Sequence, residues 1–141
     1  MADVHDVETR SYNMSRVKSK DTKPEMIVRK LLHNRGFRFR LHLKDLPGKP
    51  DIVLPKYKTV VFVQGCFWHQ HQGCKRAAIP KSNIDFWQDK LKGNLERDLK
   101  NHASLTKSGW RVVEIWECQL KVNPEEPINK LVIDLMECVK E

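Results

Sequence analysis

The sequence lacks any long apolar run. No stretch approaches the roughly 20 consecutive apolar residues that a helix needs to span a bilayer. The first ten residues, MADVHDVETR, contain no apolar core of the kind that a secretory signal carries. From these absences we expect a cytoplasmic protein without membrane-spanning helices that makes no contact with a membrane.

Cysteine is also scarce, with four residues in a chain of 141. A domain of this length buries enough apolar surface to fold without disulfide bonds, and cysteines in the cytoplasm stay reduced. The four cysteines are therefore expected to be metal ligands or core residues. The 40% content of hydrophobic residues indicates one globular domain and not a disordered chain.

Acidic side chains are outnumbered, because 18 Asp and Glu residues face 26 Lys and Arg residues and give a formal net charge of +8. The basic excess lies in residues 1–100, whereas residues 101–141 contain more acidic than basic side chains. A basic surface indicates a polyanionic partner, most simply nucleic acid, or serves solubility alone. We interpret residues 1–20 as a loose tail or as a basic arm that closes on nucleic acid, and residues 21–141 as a single domain.

The spacing of apolar residues predicts alternating helices and strands. A first helix begins after Thr22, with Pro24 and Glu25 in its first turn, and ends at Gly36. Residues 37–43 alternate strictly between apolar and polar side chains, which predicts a half-buried strand. The other predicted elements are strands at residues 51–54, 59–64 and 110–116, a long helix with an apolar stripe at Ile84, Trp87, Leu91, Leu95 and Leu99, and a closing helix after Asn123. This order predicts an α/β fold in which a mixed central β-sheet is flanked by helices.

A loop rich in possible metal ligands follows the strand at residues 59–64. Cys66, His69, His71 and Cys74 lie close together in this loop, and Cys118 follows the end of a later strand. Structural zinc sites take four Cys or His ligands in a tetrahedron. The spacing leaves five candidates for four positions, because either histidine can bind a metal.

Large aromatic residues lie in and near the same loop. Phe67 and Trp68 stand between candidate ligands, and Phe86 and Trp87 stand near the start of the long helix. A backbone held by metal would present the loop rings rigidly, and such rings can stack on bases or wedge into a duplex. The alternative is a small core around the loop, and this alternative is strongest for Trp87 because it belongs to the apolar stripe.

Two carboxylates are candidates for catalysis. Asp51 begins a strand directly after the turn LPGKP at residues 46–50. A carboxylate at a strand end is a natural ligand for Mg²⁺, and metal-assisted hydrolysis of phosphodiesters needs such a ligand. Asp51 otherwise serves as a turn cap. Glu25 is explained by helix capping, but it reaches the same metal if its end of the helix faces the sheet.

Several motifs together resemble the very short patch repair (Vsr) family of DNA mismatch endonucleases. These motifs are LPGKPD at residues 46–51, GCFWH at 65–69, FW at 86–87, GWRV at 109–112 and WEC at 116–118. The start of the chain, with MADVHD, Arg10-Ser11 and Asn13-Met14, also resembles that family. The resemblance extends to about Cys118, and the GCFWH block after a Pro-Asp strand is its most specific part.

The resemblance implies a restriction-endonuclease-like fold with a structural zinc loop. It implies a Mg²⁺-dependent enzyme that nicks double-stranded DNA at a T·G mismatch left by deamination of 5-methylcytosine, on the 5′ side of the mispaired thymine. It also implies a monomer in the bacterial cytoplasm, at the nucleoid. A cytosine-5 methyltransferase would be its functional partner without necessarily binding to it.

The resemblance further implies roles for individual residues. Asp51 would bind Mg²⁺ with the backbone carbonyl of Val63, and Glu25 and His69 would act beside it as acid–base or water-positioning groups. The structural zinc ion would be bound by Cys66, His71, Cys74 and Cys118. The DNA-contacting residues would be Met14 in the arm at residues 1–20, which clamps the minor groove, and Phe67, Trp68 and Trp87, which wedge beside the mismatch from the major-groove side.

Two positions depart from the family pattern. Gln64 stands where a histidine is expected, and Gly73 lengthens the loop between His71 and Cys74. Two other functions fit many of the same residues. A non-catalytic, zinc-dependent DNA-binding module would use the arm and the rings without cleaving DNA, and a restriction-like endonuclease would cut both strands of matched DNA. We rank the mismatch-nicking endonuclease ahead of both.

Overall fold

The computed structural model describes residues 22–41 and 43–140, except for the side chains of residues 138–140. Its elements are, in chain order, helix α1 (Lys23–Asn34), strands β1 (Arg40–Leu41), β2 (Ile52–Leu54) and β3 (Thr59–Gln64), helix α2 (Ile84–Lys107), strand β4 (Arg111–Trp116), and helices α3 (Glu117–Val122) and α4 (Glu125–Lys140). None of the described helices is long and apolar enough to cross a membrane. The predicted arm at residues 1–20, with Met14, lies outside the described residues.

The four strands form one mixed sheet in the order β1-β2-β3-β4. Strands β1, β2 and β3 pair antiparallel, whereas β3 and β4 run parallel, with Val63 opposite Ile115 and Gln64 opposite Trp116. A parallel pair needs a long crossover connection, and α2 lies in this connection. The prediction of a mixed central sheet flanked by helices is therefore confirmed.

Both faces of the sheet are covered. On one face, Ile52 and Val61 pack against α1, α3 and α4. On the other face, Val53, Val60 and Phe62 pack with Leu105 of α2 in a second cluster. Because neighbouring residues of β2 and β3 point to opposite faces and both faces are buried, these strands are almost continuously apolar in sequence.

The ends of α1 and the start of α4 follow their sequence signals. The side chain of Thr22 accepts a hydrogen bond from the backbone N–H of Glu25 at 3.4 Å. Gly36 has a φ of +82°, the left-handed conformation in which glycine commonly ends a helix. At the start of α4, the side chain of Asn123 accepts a hydrogen bond from the N–H of Glu125 at 3.2 Å.

The predicted strand at residues 37–43 is wrong in its extent, because within the described part of this segment only the two-residue strand β1 pairs with β2. Phe37 and Phe39 pack on the same side of the sheet as α1. Leu43 instead packs with the cluster on the α2 side. The segment therefore forms the edge of the sheet only over β1, and the residues before and after β1 pack on opposite faces.

The predicted apolar stripe of α2 is only partly correct. Trp87 and Leu91 are buried, but three predicted members are exposed, namely Ile84, Leu95 and Leu99. The row that faces the sheet runs from Leu91 through the partly buried polar residues Asp98 and His102 to Leu105. Polar partners hold Asp98 and His102 inward, and the partner of Asp98, His69, belongs to the candidate site.

Candidate active site and metal centre

The candidate site lies where β3 and β4 end. Because the two strands are parallel and in register, Gln64 and Trp116 end them at the same edge of the sheet. A cysteine follows each strand two residues later, Cys66 after β3 and Cys118 after β4. Strand pairing therefore brings together two thiols that are far apart in the sequence.

Three thiols and one imidazole form a cluster at this edge. The ligand atoms of Cys66, His71, Cys74 and Cys118 all lie within 4.8 Å of one another. The Sγ atom of Cys118 lies 3.4 Å from Nδ1 of His71. Sulfur and nitrogen atoms bound to the same tetrahedral zinc ion lie about 3.6 Å apart, given the usual bond lengths. The donor set and its spacing therefore fit a structural zinc ion.

Local hydrogen bonds shape the loop that carries three of these ligands. The N–H of His71 donates to the carbonyl of Cys66 at 2.9 Å. The side chain of Gln70 donates to the carbonyl of Phe67 at 2.7 Å and to that of Ala77 at 3.1 Å. These bonds close the loop on itself, so the ligand residues are held near one another by the backbone as well.

Two further features bear on metal binding at the cluster. The indole ring of Trp116 stacks on the imidazole of His71, with 4.1 Å between centroids and 8° between planes, and so fixes its orientation. Burial is the main cause that raises the pKa of the Cys66 thiol to about 12; a backbone hydrogen bond of Cys118 opposes the rise, and hydrogen bonds with the Cys118 and Cys74 thiols add to it. A metal ion that binds there must therefore displace a proton, as it does at other thiolate sites.

His69 lies in the same loop but engages a different partner. Its Nδ1 atom lies 2.6 Å from Oδ2 of Asp98 in α2. A histidine whose Nδ1 is held by a carboxylate can exchange a proton with another group through Nε2. The structure thus separates the two histidines, because His71 joins the thiols and His69 pairs with a carboxylate. Asp98 has no signal in the sequence that distinguishes it from the other charged residues of α2, because it lies off the predicted apolar stripe.

The two candidate carboxylates lie at the same end of the sheet. Oδ2 of Asp51 accepts a hydrogen bond from the backbone N–H of Val63 at 2.7 Å. Glu25 is 2% exposed, and its Oε2 lies 3.0 Å from Nη2 of Arg29 one turn further along α1. The start of α1 therefore faces the sheet, which is the condition for Glu25 to act together with Asp51.

The surroundings raise the pKa of Asp51 to about 7. Burial is the largest cause, and the charge and hydrogen bond of the neighbouring Glu25 carboxyl group raise the pKa further. The N–H of Val63 and the nearby His69 oppose this rise. Adjacent carboxylates that disfavour each other's charge are stabilised by a cation between them, and oxygen donors suit hard ions. The donor set therefore fits a divalent ion such as Mg²⁺.

Four aromatic rings, Phe67, Trp68, Phe86 and Trp87, form what we call the aromatic cluster. Ring centroids lie 5.2 Å apart for Phe67 and Trp68, 5.6 Å for Phe67 and Trp87, 6.1 Å for Trp68 and Trp87, and 5.1 Å for Phe86 and Trp87. Trp87 is 3% exposed and touches the other three rings, whereas Phe86 is 44% exposed. The Nζ atom of Lys90 lies 6.0 Å from the ring centroids of both Trp68 and Phe86.

The structure thus brings most of the predicted site residues to one end of the sheet. The residues placed there are Glu25, Asp51, Val63, His69, the four cluster residues Cys66, His71, Cys74 and Cys118, and the rings of Phe67, Trp68 and Trp87. Their individual roles in catalysis, metal binding and DNA contact stay predictions, as does that of Met14.

Comparison with known proteins identifies relatives over most of the chain. The sequence model of the family described as DNA mismatch endonuclease Vsr matches residues 2–76. The type II nicking enzyme V.NmeAIP of Neisseria meningitidis serogroup A is 49% identical over 141 residues, which cover 99% of this chain and 100% of the relative. The type II nicking enzyme V.XorIIP of Xanthomonas oryzae pv. oryzae is 52% identical over 120 residues, 85% of this chain and 88% of the relative.

A third relative carries the name of the family itself. The DNA mismatch endonuclease Vsr of Escherichia coli K12 is 43% identical over 121 residues, which cover 86% of this chain and 77% of the relative. The segment matched by the family contains Glu25, Asp51 and the loop at residues 66–74. The chain therefore belongs to the Vsr family of DNA mismatch endonucleases and is a DNA endonuclease, a hydrolase.

Proposed function

We propose that this protein is a Mg²⁺-dependent endonuclease that nicks one strand of DNA at T·G mismatches, 5′ to the mispaired thymine. Such mismatches arise when 5-methylcytosine is deaminated. The observation that carries the proposal is the meeting of Asp51, Glu25 and His69 beside the aromatic cluster at one end of the sheet. Groups suited to phosphodiester hydrolysis thus lie next to rings suited to entering a duplex. A mixed sheet with an acidic residue directly before β2 also supports a restriction-endonuclease-like fold.

Asp51 is proposed to hold Mg²⁺ together with the backbone carbonyl of Val63. The ion would supply Lewis-acid stabilisation of the phosphate and a water of lowered pKa. The N–H of Val63 orients the Asp51 carboxylate at 2.7 Å. Arg29, which is bonded to Glu25, offsets part of the negative charge that the two neighbouring carboxyl groups bring together.

His69 is proposed to move a proton during hydrolysis. Asp98 fixes Nδ1 of the ring, so Nε2 becomes the atom that takes up or gives back a proton. The carboxylate also holds the ring in one orientation, as the acidic residue of a catalytic triad does. Glu25 is proposed to position the attacking water, because it is buried directly beside Asp51.

The thiol–imidazole cluster is proposed to bind a structural zinc ion. Phe67, Trp68 and His69 all stand in the sequence between the ligands Cys66 and His71. One ion would therefore hold the rings that contact DNA and the histidine that acts on it in a fixed relation. A structural zinc ion contributes on the order of 10 kcal/mol to the folding of small zinc domains, which is ample to order such a loop.

Phe67, Trp68 and Trp87 are proposed to wedge beside the mismatch from the major-groove side. Stacking of a base on an aromatic side chain contributes about 1–3 kcal/mol, and opening a duplex costs least where bases are mispaired. The positive charge of Lys90 beside these rings favours the approach of phosphates. The arm at residues 1–20, with Met14, is proposed to clamp the minor groove.

The substrate defines the proposed cellular setting. Deamination produces T·G pairs only where a cytosine-5 methyltransferase has acted, so such an enzyme is the functional partner. We propose that the protein acts on these sites as a monomer in the cytoplasm.

A strand-resolved nicking assay tests the proposal. Duplexes with one T·G pair in many flanking sequences, labelled on either strand, are incubated with the protein and Mg²⁺, and matched duplexes serve as controls. We expect one nick, 5′ to the thymine, that requires the divalent ion. Binding without any cleavage would instead identify a DNA-binding module, and a double-strand break in matched DNA would identify a restriction-like endonuclease. Either result overturns the proposal.

A further inference from the structure

We infer that Phe86 is a further DNA-contacting residue, the open ring of the aromatic cluster. Its proposed role is to stack on, or press against, bases next to those engaged by Phe67 and Trp68. The inference rests on the proposed function and deepens it, because it adds a residue to the surface that distorts the duplex. The proposed ligand of Phe86 is a nucleic-acid base, which it would contact through the flat face of the base.

The first observation is the contrast in exposure between two adjacent residues. Phe86 is 44% exposed, whereas Trp87 is 3% exposed and is enclosed by the other three rings. A ring stacks on a base only through a face that the base can reach. In the protein alone, Phe86 offers such a face and Trp87 does not, so Trp87 meets DNA only if its neighbours move.

The second observation is that Phe86 is exposed but held in place. Its ring lies 5.1 Å from that of Trp87 with 75° between the planes, the edge-to-face arrangement that aromatic pairs favour. It also lies in the first turn of α2, a helix of 24 residues. A ring held by packing loses little conformational entropy on binding, which is the property that makes rigid aromatic residues effective binding groups.

The third observation is the charge around the ring. The Nζ atom of Lys90 lies 6.0 Å from the centroids of Phe86 and Trp68, so one ammonium group stands beside both rings. Residues 75–92 contain five Lys or Arg residues and two Asp residues. An apolar ring on a basic surface suits a polyanion with flat apolar bases better than it suits an apolar protein groove.

The test compares matched variants of the full-length, zinc-loaded protein. Affinity for a T·G duplex is measured by fluorescence anisotropy without added Mg²⁺, so that binding is separated from cleavage. We expect Phe86→Ala and Phe86→Leu to weaken binding about tenfold, in line with the loss of one base-stacking ring. Phe86→Tyr keeps a ring and should bind within about twofold of the wild type. Leu99→Ala removes a side chain that is 71% exposed on the same helix and should change nothing.

Melting temperature and zinc content, measured for each variant, separate DNA contact from packing of the cluster. Phe86→Leu keeps apolar bulk beside Trp87, so it isolates the loss of aromatic stacking if Phe86→Ala proves less stable. Wild-type affinity in Phe86→Ala, or equal affinity in the Leu and Tyr variants, would overturn the inference. Failure of the proposed function is a different result: the wild type would then bind T·G duplexes without nicking them. The affinities of the Phe86 variants for the bound duplex could still be compared in that case.

Discussion

The thiol–imidazole cluster and the carboxylate site share one end of the sheet, but their residues come from very different parts of the chain. Three of the four cluster ligands lie in the loop at residues 66–74, and the fourth, Cys118, lies in the first turn of α3 directly after β4. The carboxylate site collects one group from each of five segments, namely Glu25, Asp51, Val63, His69 and Asp98. The first site is thus nearly local, whereas the second forms only when the whole fold is complete.

The two sites also differ in what they contribute to the fold. A metal ion at the cluster would tie an irregular loop to the end of β4 and so stabilise the structure. The carboxylate site opposes folding, because burial and the neighbouring Glu25 raise the pKa of Asp51 to about 7. With zinc bound as proposed, the cluster would stabilise the fold, whereas the carboxylate site would depend on the stability of the rest of the fold.

The largest effect is expected from loss of a cluster ligand. Cys118→Ala should lose zinc, lower the melting temperature by roughly 10 °C or more, and remove nicking activity with it. The exposed residue Gln72 lies in the same loop, so Gln72→Ala is the matched control and should change none of these. Zinc content by atomic absorption and thermal unfolding check the prediction. A Cys118→Ala protein with one tightly bound zinc ion would disprove the ligand assignment.

Loss of Asp51 should remove the chemical step and leave zinc and DNA binding intact. Asp51→Ala should lower the single-turnover nicking rate by at least about a thousandfold, since metal-ion catalysis contributes several kcal/mol and each 1.4 kcal/mol is tenfold in rate. Zinc content and DNA affinity should stay at wild-type values. Asp45→Ala, an exposed acidic residue in the preceding turn, serves as the control. Nicking at the wild-type rate by Asp51→Ala would contradict the catalytic role of Asp51. Loss of zinc from this variant would contradict the separation of the two sites.

His69 tests whether the two sites are separate, because it lies between two cluster ligands in the sequence but pairs with Asp98. His69→Ala should lower the nicking rate by about 10²- to 10⁴-fold without loss of zinc. Asp98→Asn should lower it less, by roughly 10- to 100-fold, because the ring remains but a carboxylate no longer fixes its orientation. The double variant should be no slower than His69→Ala. A clearly additive double variant would mean that Asp98 acts independently of His69.

The smallest effect concerns stability and pH. The pKa of Asp51 is raised in the folded protein from 3.8 to about 7, so its charge destabilises the fold above pH 7, and this cost fades as the pH falls from 7 to 3.8. Without added Mg²⁺, Asp51→Asn should therefore melt a few degrees higher than the wild type at pH 8, and the gap should narrow towards pH 4. Thermal scans across pH measure this. A lower melting temperature for Asp51→Asn at pH 8 would contradict the assigned burial cost.

The contrast between the nearly local cluster and the carboxylate site, which is assembled from five segments, also explains which features the sequence predicts. The cluster is visible because its ligands lie close together in a loop, and β2, β3 and β4 are visible as apolar runs. Asp98 is not visible, because its burial depends on a hydrogen bond to His69 that helical periodicity cannot register. For the same reason the apolar stripe placed Leu95 and Leu99 inward, whereas both are exposed.

At residues 37–43 the sequence pattern is clear, but the structure predicted from it is wrong in extent. Their alternation predicts one long strand, but Phe37 and Leu43 pack on opposite faces of the sheet. Alternation describes where side chains point locally and does not register that the chain crosses from one face to the other. The path of such a segment depends on the cores on either side of the sheet, which form from residues far away in sequence.

The central claim is that the thiol–imidazole cluster binds zinc and that the carboxylate site binds the catalytic divalent ion. It is tested most directly by anomalous diffraction from crystals of the protein with a T·G duplex and Mn²⁺ in place of Mg²⁺. We predict a zinc signal among Cys66, His71, Cys74 and Cys118, and a separate manganese signal beside Asp51. A zinc signal at Asp51, or manganese absent from Asp51 while DNA is bound, would contradict the account.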